Sequence, residues 1–181
     1  MTVPRSLFFV VLLLSAVGCG DNSGPTVLTE SHPIVAGVEN WRKHVATASE
    51  AAIAVMTDDK IEHERRLVRD NVGTAIAAAQ LEAEKNRQAD EEIKRLMWRT
   101  SDAAVLKILN LRRDSFKKGT EAAEAVESRF KAWDELKYKD LKAAAEAMVP
   151  HAQRAEVIRA EVDKLRAEAQ SLEDAYRAAK R

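Results

Sequence analysis

From Ile34 to Ala179 apolar residues recur at steps of three and four along nearly the whole chain. Ile34, Val38, Trp41, Val45, Ala48, Ala52 and Val55 open the pattern; Met148, His151, Ala155, Ile158, Val162, Leu165, Ala169, Leu172, Tyr176 and Ala179 close it. Such spacing holds one narrow apolar stripe on one side of a helix. Only Gly37, Gly73 and Gly119 fall within the region, and usage is rich in Ala, Glu, Lys, Leu and Arg, as in long helices and coiled coils. The expected fold class is all-α: a long antiparallel helical hairpin or coiled coil with an additional N-terminal helix, an elongated three-helix arrangement over residues 33–181.

Local signals place the breaks. Pro33 suits a first helical position, where its missing N–H costs nothing. Thr57-Asp58-Asp59 interrupts the first stripe, and Asp59 with Glu62 reads as a capping box that opens a second helix. Gly73 costs about 1 kcal/mol relative to alanine, too little to stop a long run. The stripe thins to Ala83 and Ala89 between Glu82 and Glu92, then resumes at Ile93 and Met97. Thr100-Ser101-Asp102 has the chemistry of a cap but neither Gly nor Pro, so the helix is expected to continue through it. Lys117-Lys118-Gly119-Thr120-Glu121 is the clearest stop: lysines favour a helix C-terminus and glycine a left-handed cap. Beyond it Val126, Phe130, Trp133, Leu141, Ala144 and Met148 form the next stripe, the long step from Trp133 to Leu141 changing the supercoil without ending it. The register survives Pro150, so a kink within one arm is expected there.

Folding at Gly119 sets Leu109 opposite Phe130, Val105 opposite Trp133 and Met97 opposite Leu141. It also puts the polar gap near Asn86 opposite Pro150 and His151. Each arm would run to ~90 Å at 1.5 Å per residue, and alanines in the seam would permit close backbone approach. A compact bundle folded at both Thr100–Asp102 and Pro150 is the competing topology.

The N-terminus carries a different message. Arg5 precedes the apolar run Leu7 to Val17, which is about half the length a membrane span needs, and small residues lead to Cys19, the layout of a secretory signal. Ala16-Val17-Gly18-Cys19 resembles the lipobox of bacterial lipoproteins, although Ala16 stands where that family most often has Leu. The resemblance implies a signal peptide over 1–18, cleavage before Cys19 and lipidation of the Cys19 sulfur and new N-terminus. Several acyl chains on one residue hold a membrane firmly, whereas a single chain does not. Gly20 in place of Asp implies a lipoprotein facing the periplasm from the outer rather than the inner membrane; simple secretion is the alternative. Residues 19–32, with Gly, Asn, Ser and Pro, read as a flexible tether of about 20 Å.

Chemistry is sparse. Lys and Arg number 29, as do Asp and Glu, and removing the signal takes away only Arg5, so no basic excess points to a nucleic acid partner. Arg65-Arg66, Arg112-Arg113 and Lys117-Lys118 read as solvated helix faces. An acylated Cys19 leaves no thiol. His32, His44, His63 and His151 share no ligand spacing, and the Asp59 and His63 pair reads as a surface contact. No nucleophile elbow or phosphate loop is present, so neither catalytic residues nor a metal or other cofactor are expected. Trp98 and Tyr138 lie off the stripes and are the candidate partner contacts.

The expected function is structural: a lipid-anchored envelope protein that tethers or binds through its helical coiled-coil hairpin. Its expected partners are the membrane, through the anchor, and envelope proteins or peptidoglycan, with a homo-oligomer open to the surplus seam of the first helix. A periplasmic chaperone-like or lipid-binding helical module is the alternative. The plan resembles the murein lipoprotein, but Arg181 follows Lys180 where that family's wall linkage uses a terminal lysine.

Overall fold

The computed structural model describes residues 23–136 and 140–180. Every regular element among them is a helix: α1 (Ser23–Val55), α2 (Asp58–His63), α3 (Arg65–Met97), α4 (Ala103–Leu136) and α5 (Leu141–Ala179). α1 packs on α3, α3 on α4 and α4 on α5. Ion pairs from Glu30 to Arg99, Asp90 to Arg113 and Lys118 to Glu161 set neighbouring long helices antiparallel. The fold is therefore all-α and antiparallel, with the N-terminal helix packed against the rest as the stripes predict. The break at Thr57–Asp59 falls where the sequence puts it, and the chain reverses at Thr100–Asp102 as in the competing topology; the turn expected at Gly119, and the one that topology puts at Pro150, are absent.

The segment expected to be a leash is helical from Ser23 onward. Val27, Leu28 and Ser31 are fully buried, and Gly24 is buried beside them. The stripe thus extends upstream of Ile34 at the same spacing. Thr29 Oγ1 donates to the Pro25 carbonyl at 2.9 Å and Ser31 Oγ to the Leu28 carbonyl at 2.6 Å. The polar residues that read as linker instead bond back onto the helix. Pro33 lies inside α1 rather than at its start.

At the first break Thr57, not Asp59, stands at the N-cap, and its side chain makes no capping bond. α2 is a single short segment, and Glu64, at φ −122° and ψ 41°, separates it from α3.

The helix expected to run through Thr100–Asp102 ends at Met97. Asp102 Oδ1 accepts from Ala104 N at 2.9 Å and Val105 N at 3.3 Å, while Asp102 N donates to Thr100 Oγ1 at 3.2 Å. A carboxylate cap suffices for this reversal without Gly or Pro. Tyr176 Oη adds a 2.8 Å bond to Asp102 Oδ2, tying the turn to the end of α5. The other reversal lies between Leu136 and Leu141, where a supercoil adjustment was expected, and Asp140 Oδ1 caps α5 by accepting from Ala143 N at 3.0 Å. Pro150 sits inside α5, whose register continues through it as expected.

Gly119 stops nothing. It lies within α4, buried, and faces Asn86 of α3. A Cβ at this position would overlap the Asn86 amide. The glycine is needed for close approach, not for a left-handed turn. Leu109 and Phe130, expected to face each other, are accordingly on one helix.

Two apolar clusters fill the bundle. Val45, Val72, Phe130, Trp133 and Met148 anchor the one toward α2; Leu28, Ile93, Leu109 and Phe116 anchor the one toward the start of α1. Each large side chain buried this way contributes roughly 1.5–3 kcal/mol. Small residues line the contacts, with Ala75, Ala79, Ala144 and Ala169 all buried. Between the clusters lie buried Glu82 and Asn86.

Gly119→Ala and Gly73→Ala should have opposite signs. Nothing stands near a Cβ at exposed Gly73, so alanine there gains about 1 kcal/mol of helix propensity. Gly119→Ala should lose about 1–3 kcal/mol through overpacking, and Asn86→Ala in the same chain should restore most of it. Urea unfolding of the three variants and the unaltered protein measures both effects.

Candidate functional site

Of the residues singled out in the sequence, Cys19 and Tyr138 lie outside the described residues. Trp98 is at the α3–α4 turn and is 86% exposed, the most exposed large apolar side chain among the described residues. His44 stacks obliquely on Trp41, ring centroids 5.4 Å apart, with Asn40 Nδ2 3.4 Å from its Nε2. Among the described residues no three His, Cys, Asp or Glu side chains converge to hold a metal.

The chemistry of the bundle lies in charges on its inner faces. Arg112 reads as part of a solvated pair but is buried, because it continues the α4 seam of Val105, Ile108, Leu109 and Phe116. Its Nη2 donates to Glu173 Oε2 at 2.5 Å and its Nη1 to Ser31 Oγ. Glu173 Oε1 accepts from Arg177 Nε at 2.7 Å and meets His32 Nε2 at 2.8 Å. One carboxylate thus joins α1, α4 and α5. Burial pushes the Glu173 carboxyl up, but Arg177, the Arg112 charge and His32 outweigh it and hold it below the usual range. Burial lowers Arg112 despite Glu173 beside it. Glu173 was missed because it looks like surface charge; its place beside Leu172, four residues after Ala169 on the stripe, was the available signal.

The middle layer is less well paired. Asn86 Nδ2 donates to the Glu82 carbonyl at 2.9 Å, while Glu82 Oε2 has no hydrogen-bond partner and Arg159 Nη2 stands 3.9 Å away. Burial raises the Glu82 pKa against the pull of Arg159 and Arg42.

Side chains rather than close backbone packing bridge α1 to α5. Arg42 donates both terminal nitrogens to Asp163, at 2.5 and 3.0 Å, and Arg166 pairs with Glu39. Desolvation lowers Arg166 to about 10. Along this seam opens an apolar cleft of about 330 Å³ lined by Ile53, Met56, Trp133, Met148 and Val149, with Arg129 at its wall. Burial lowers Arg129, chiefly opposed by the charge of Glu156.

These groups are arranged to fasten helices. No helix of the described residues is long and apolar enough to cross a membrane. Comparison with known proteins yields no matching family model, curated relative or solved structure.

Removing the Glu173 charge should show what it holds. Glu173→Gln leaves Arg112 buried without its counter-charge and should cost about 3–5 kcal/mol; replacing both by Glu173→Leu and Arg112→Met should recover most of that loss. Because the folded-state pKa of Glu173 is depressed, its contribution is complete above the ordinary value of 4.5 and is lost as pH falls through the folded value. Thermal melts from pH 7 to 3 should therefore fall less steeply for Glu173→Gln than for the unaltered protein. Glu82, with a raised pKa, acts in the opposite sense in both.

Proposed function

We propose that this chain is a lipid-anchored protein of the bacterial cell envelope, facing the periplasm from the outer membrane, whose helical bundle serves a structural, tethering role. The observation that carries the reading is the run Leu7–Cys19 with its lipobox-like end, only four positions before α1 begins at Ser23. Anchoring confines the bundle to a shell near the bilayer and raises its effective concentration for partners there. Its charged outer faces suit envelope proteins or peptidoglycan.

A second reading, a lipid-binding helical module, draws support from the apolar cleft between α1 and α5. The apolar wall of Ile53, Met56, Trp133, Met148 and Val149 suits an acyl chain.

Cys19→Ser expressed in a two-membrane bacterium tests the first reading. The unaltered protein should incorporate labelled palmitate and fractionate with membranes, and the variant should do neither; equal membrane recovery of both contradicts the anchor. The soluble variant then addresses the second reading. Saturable binding of a fluorescent fatty acid, abolished by filling the cleft through Ala152→Trp at another of its lining positions, supports a lipid module, and no binding retires it.

A further inference from the structure

We infer that the end of the bundle carrying Trp98 lies against the phospholipid headgroup layer, with the Trp98 indole as an interfacial anchor. The inference rests on the lipid-anchor reading and adds to it a defined contact face and orientation.

Geometry limits which end can reach the bilayer. Four residue steps separate Cys19 from Ser23, and a fully extended chain covers at most about 14 Å over that distance. α1 alone, with 33 residues, is about 50 Å long. A lipid on Cys19 therefore holds the start of α1 at the membrane, and the α2 end meets the bilayer only when the bundle lies flat on it.

Three elements share that near end. Arg99 pairs with Glu30, its Nη2 2.9 Å from Oε1, which ties the α3–α4 turn to α1. Tyr176 Oη bonds Asp102 of the same turn at 2.8 Å, and Gly24 lies against Tyr176 and Val105. The start of α1, the α3–α4 turn and the close of α5 thus form one face. Two of its acidic groups, Glu30 and Asp102, already engage Arg99 and Tyr176.

From this face Trp98 projects. It is 86% exposed, whereas Trp133 is 3% exposed and Trp41 half-buried. Ile53, Leu67, Leu81, Val149 and Val157, the other exposed large apolar residues among those described, are 40–62% exposed and lie on other helices or farther along the bundle. An indole combines an apolar body with an N–H donor and partitions to the boundary between acyl chains and headgroups. Lys180, its ammonium 5.6 Å from the Tyr176 ring, and exposed Arg95 stand near enough for their apolar stems to lie on the membrane while their charges meet phosphates. With the lipid and Trp98 both engaged, the bundle stands away from the surface and presents its α2 end outward.

The test uses the full chain, processed and acylated in the cell, reconstituted into phosphatidylcholine vesicles with or without brominated acyl chains. Tryptophan emission should be quenched in the brominated vesicles. That quenched component should vanish in Trp98→Phe, which should float with the vesicles as before. Floating protein whose emission is unquenched, or quenched equally in Trp98→Phe, overturns the contact face and leaves the anchor standing. Protein that carries no lipid and does not float overturns the anchor reading and this inference together.

Discussion

The amide of Asn86 occupies the space that a side chain at position 119 would fill, and the arrangement of the bundle follows from that contact. Asn86 is fully buried, its Nδ2 bound to the Glu82 carbonyl, and Gly119 lets α4 close over it. The layer divides the apolar interior into two clusters. It carries a cost, since a buried polar atom without a partner is worth roughly 1–3 kcal/mol of destabilisation, and Glu82 Oε2, Asn86 Oδ1 and Arg159 Nε all lack one. Sliding α3 by one turn would take the Asn86 amide away from Gly119 and set it against α4 positions that carry side chains, such as Phe116 in one direction and Ala123 in the other. The cost is smallest in one register, which is how a polar layer selects a structure that alanine-rich seams alone would leave ambiguous.

Charge fastens the remaining side of the bundle. α1 shares apolar core with α3 through Val45, Ala52 and Val55, but toward α5 it reaches with Arg42 and Glu39. Arg42 and Asp163 are 24% and 57% exposed on their side chains, and such a pair contributes about 0–1 kcal/mol. Arg112 and Glu173, at 7% and 1%, are another matter. Their desolvation is offset only with all partners in place, so Ser31, His32 and Arg177 converge on them. The cleft lined by Ile53 and Met148 lies on the same seam.

Helical content, the antiparallel packing and the seam residues were legible because a stripe at steps of three and four is a direct image of one buried helix face. Val45, Val72, Ile93, Phe130 and Val162 all lie where that image puts them. The break at Thr57–Asp59 was legible and the reversal at Thr100–Asp102 belonged to the competing topology; the true course of α4 and α5 was not legible, for particular reasons. Gly119 carries the residue signature of a helix stop, yet what it supplies is room, and room is visible only with Asn86 across the contact. Asp102 caps α4 with one carboxylate and no glycine, a signal no stronger than many solvated Asp residues elsewhere in the chain. Arg112 was misread because residue type was weighed above position; its spacing from Ile108 and Phe116 already put it in the seam. Ser31 was misread likewise within a stretch whose Gly, Ser and Pro content imitates a linker. Trp98 lies off every stripe, and its side chain is exposed.

The central structural claim is that α4 runs unbroken past Gly119. Lys107 and Lys131 are both exposed and stand equally far on either side of that glycine. Nitroxides at these two positions, measured by pulsed electron–electron resonance, should lie about 36 Å apart along one helix. A distance near the 8–10 Å spacing of packed helices, lengthened only by the label arms, would mean that the chain folds back at Gly119 and would contradict the account.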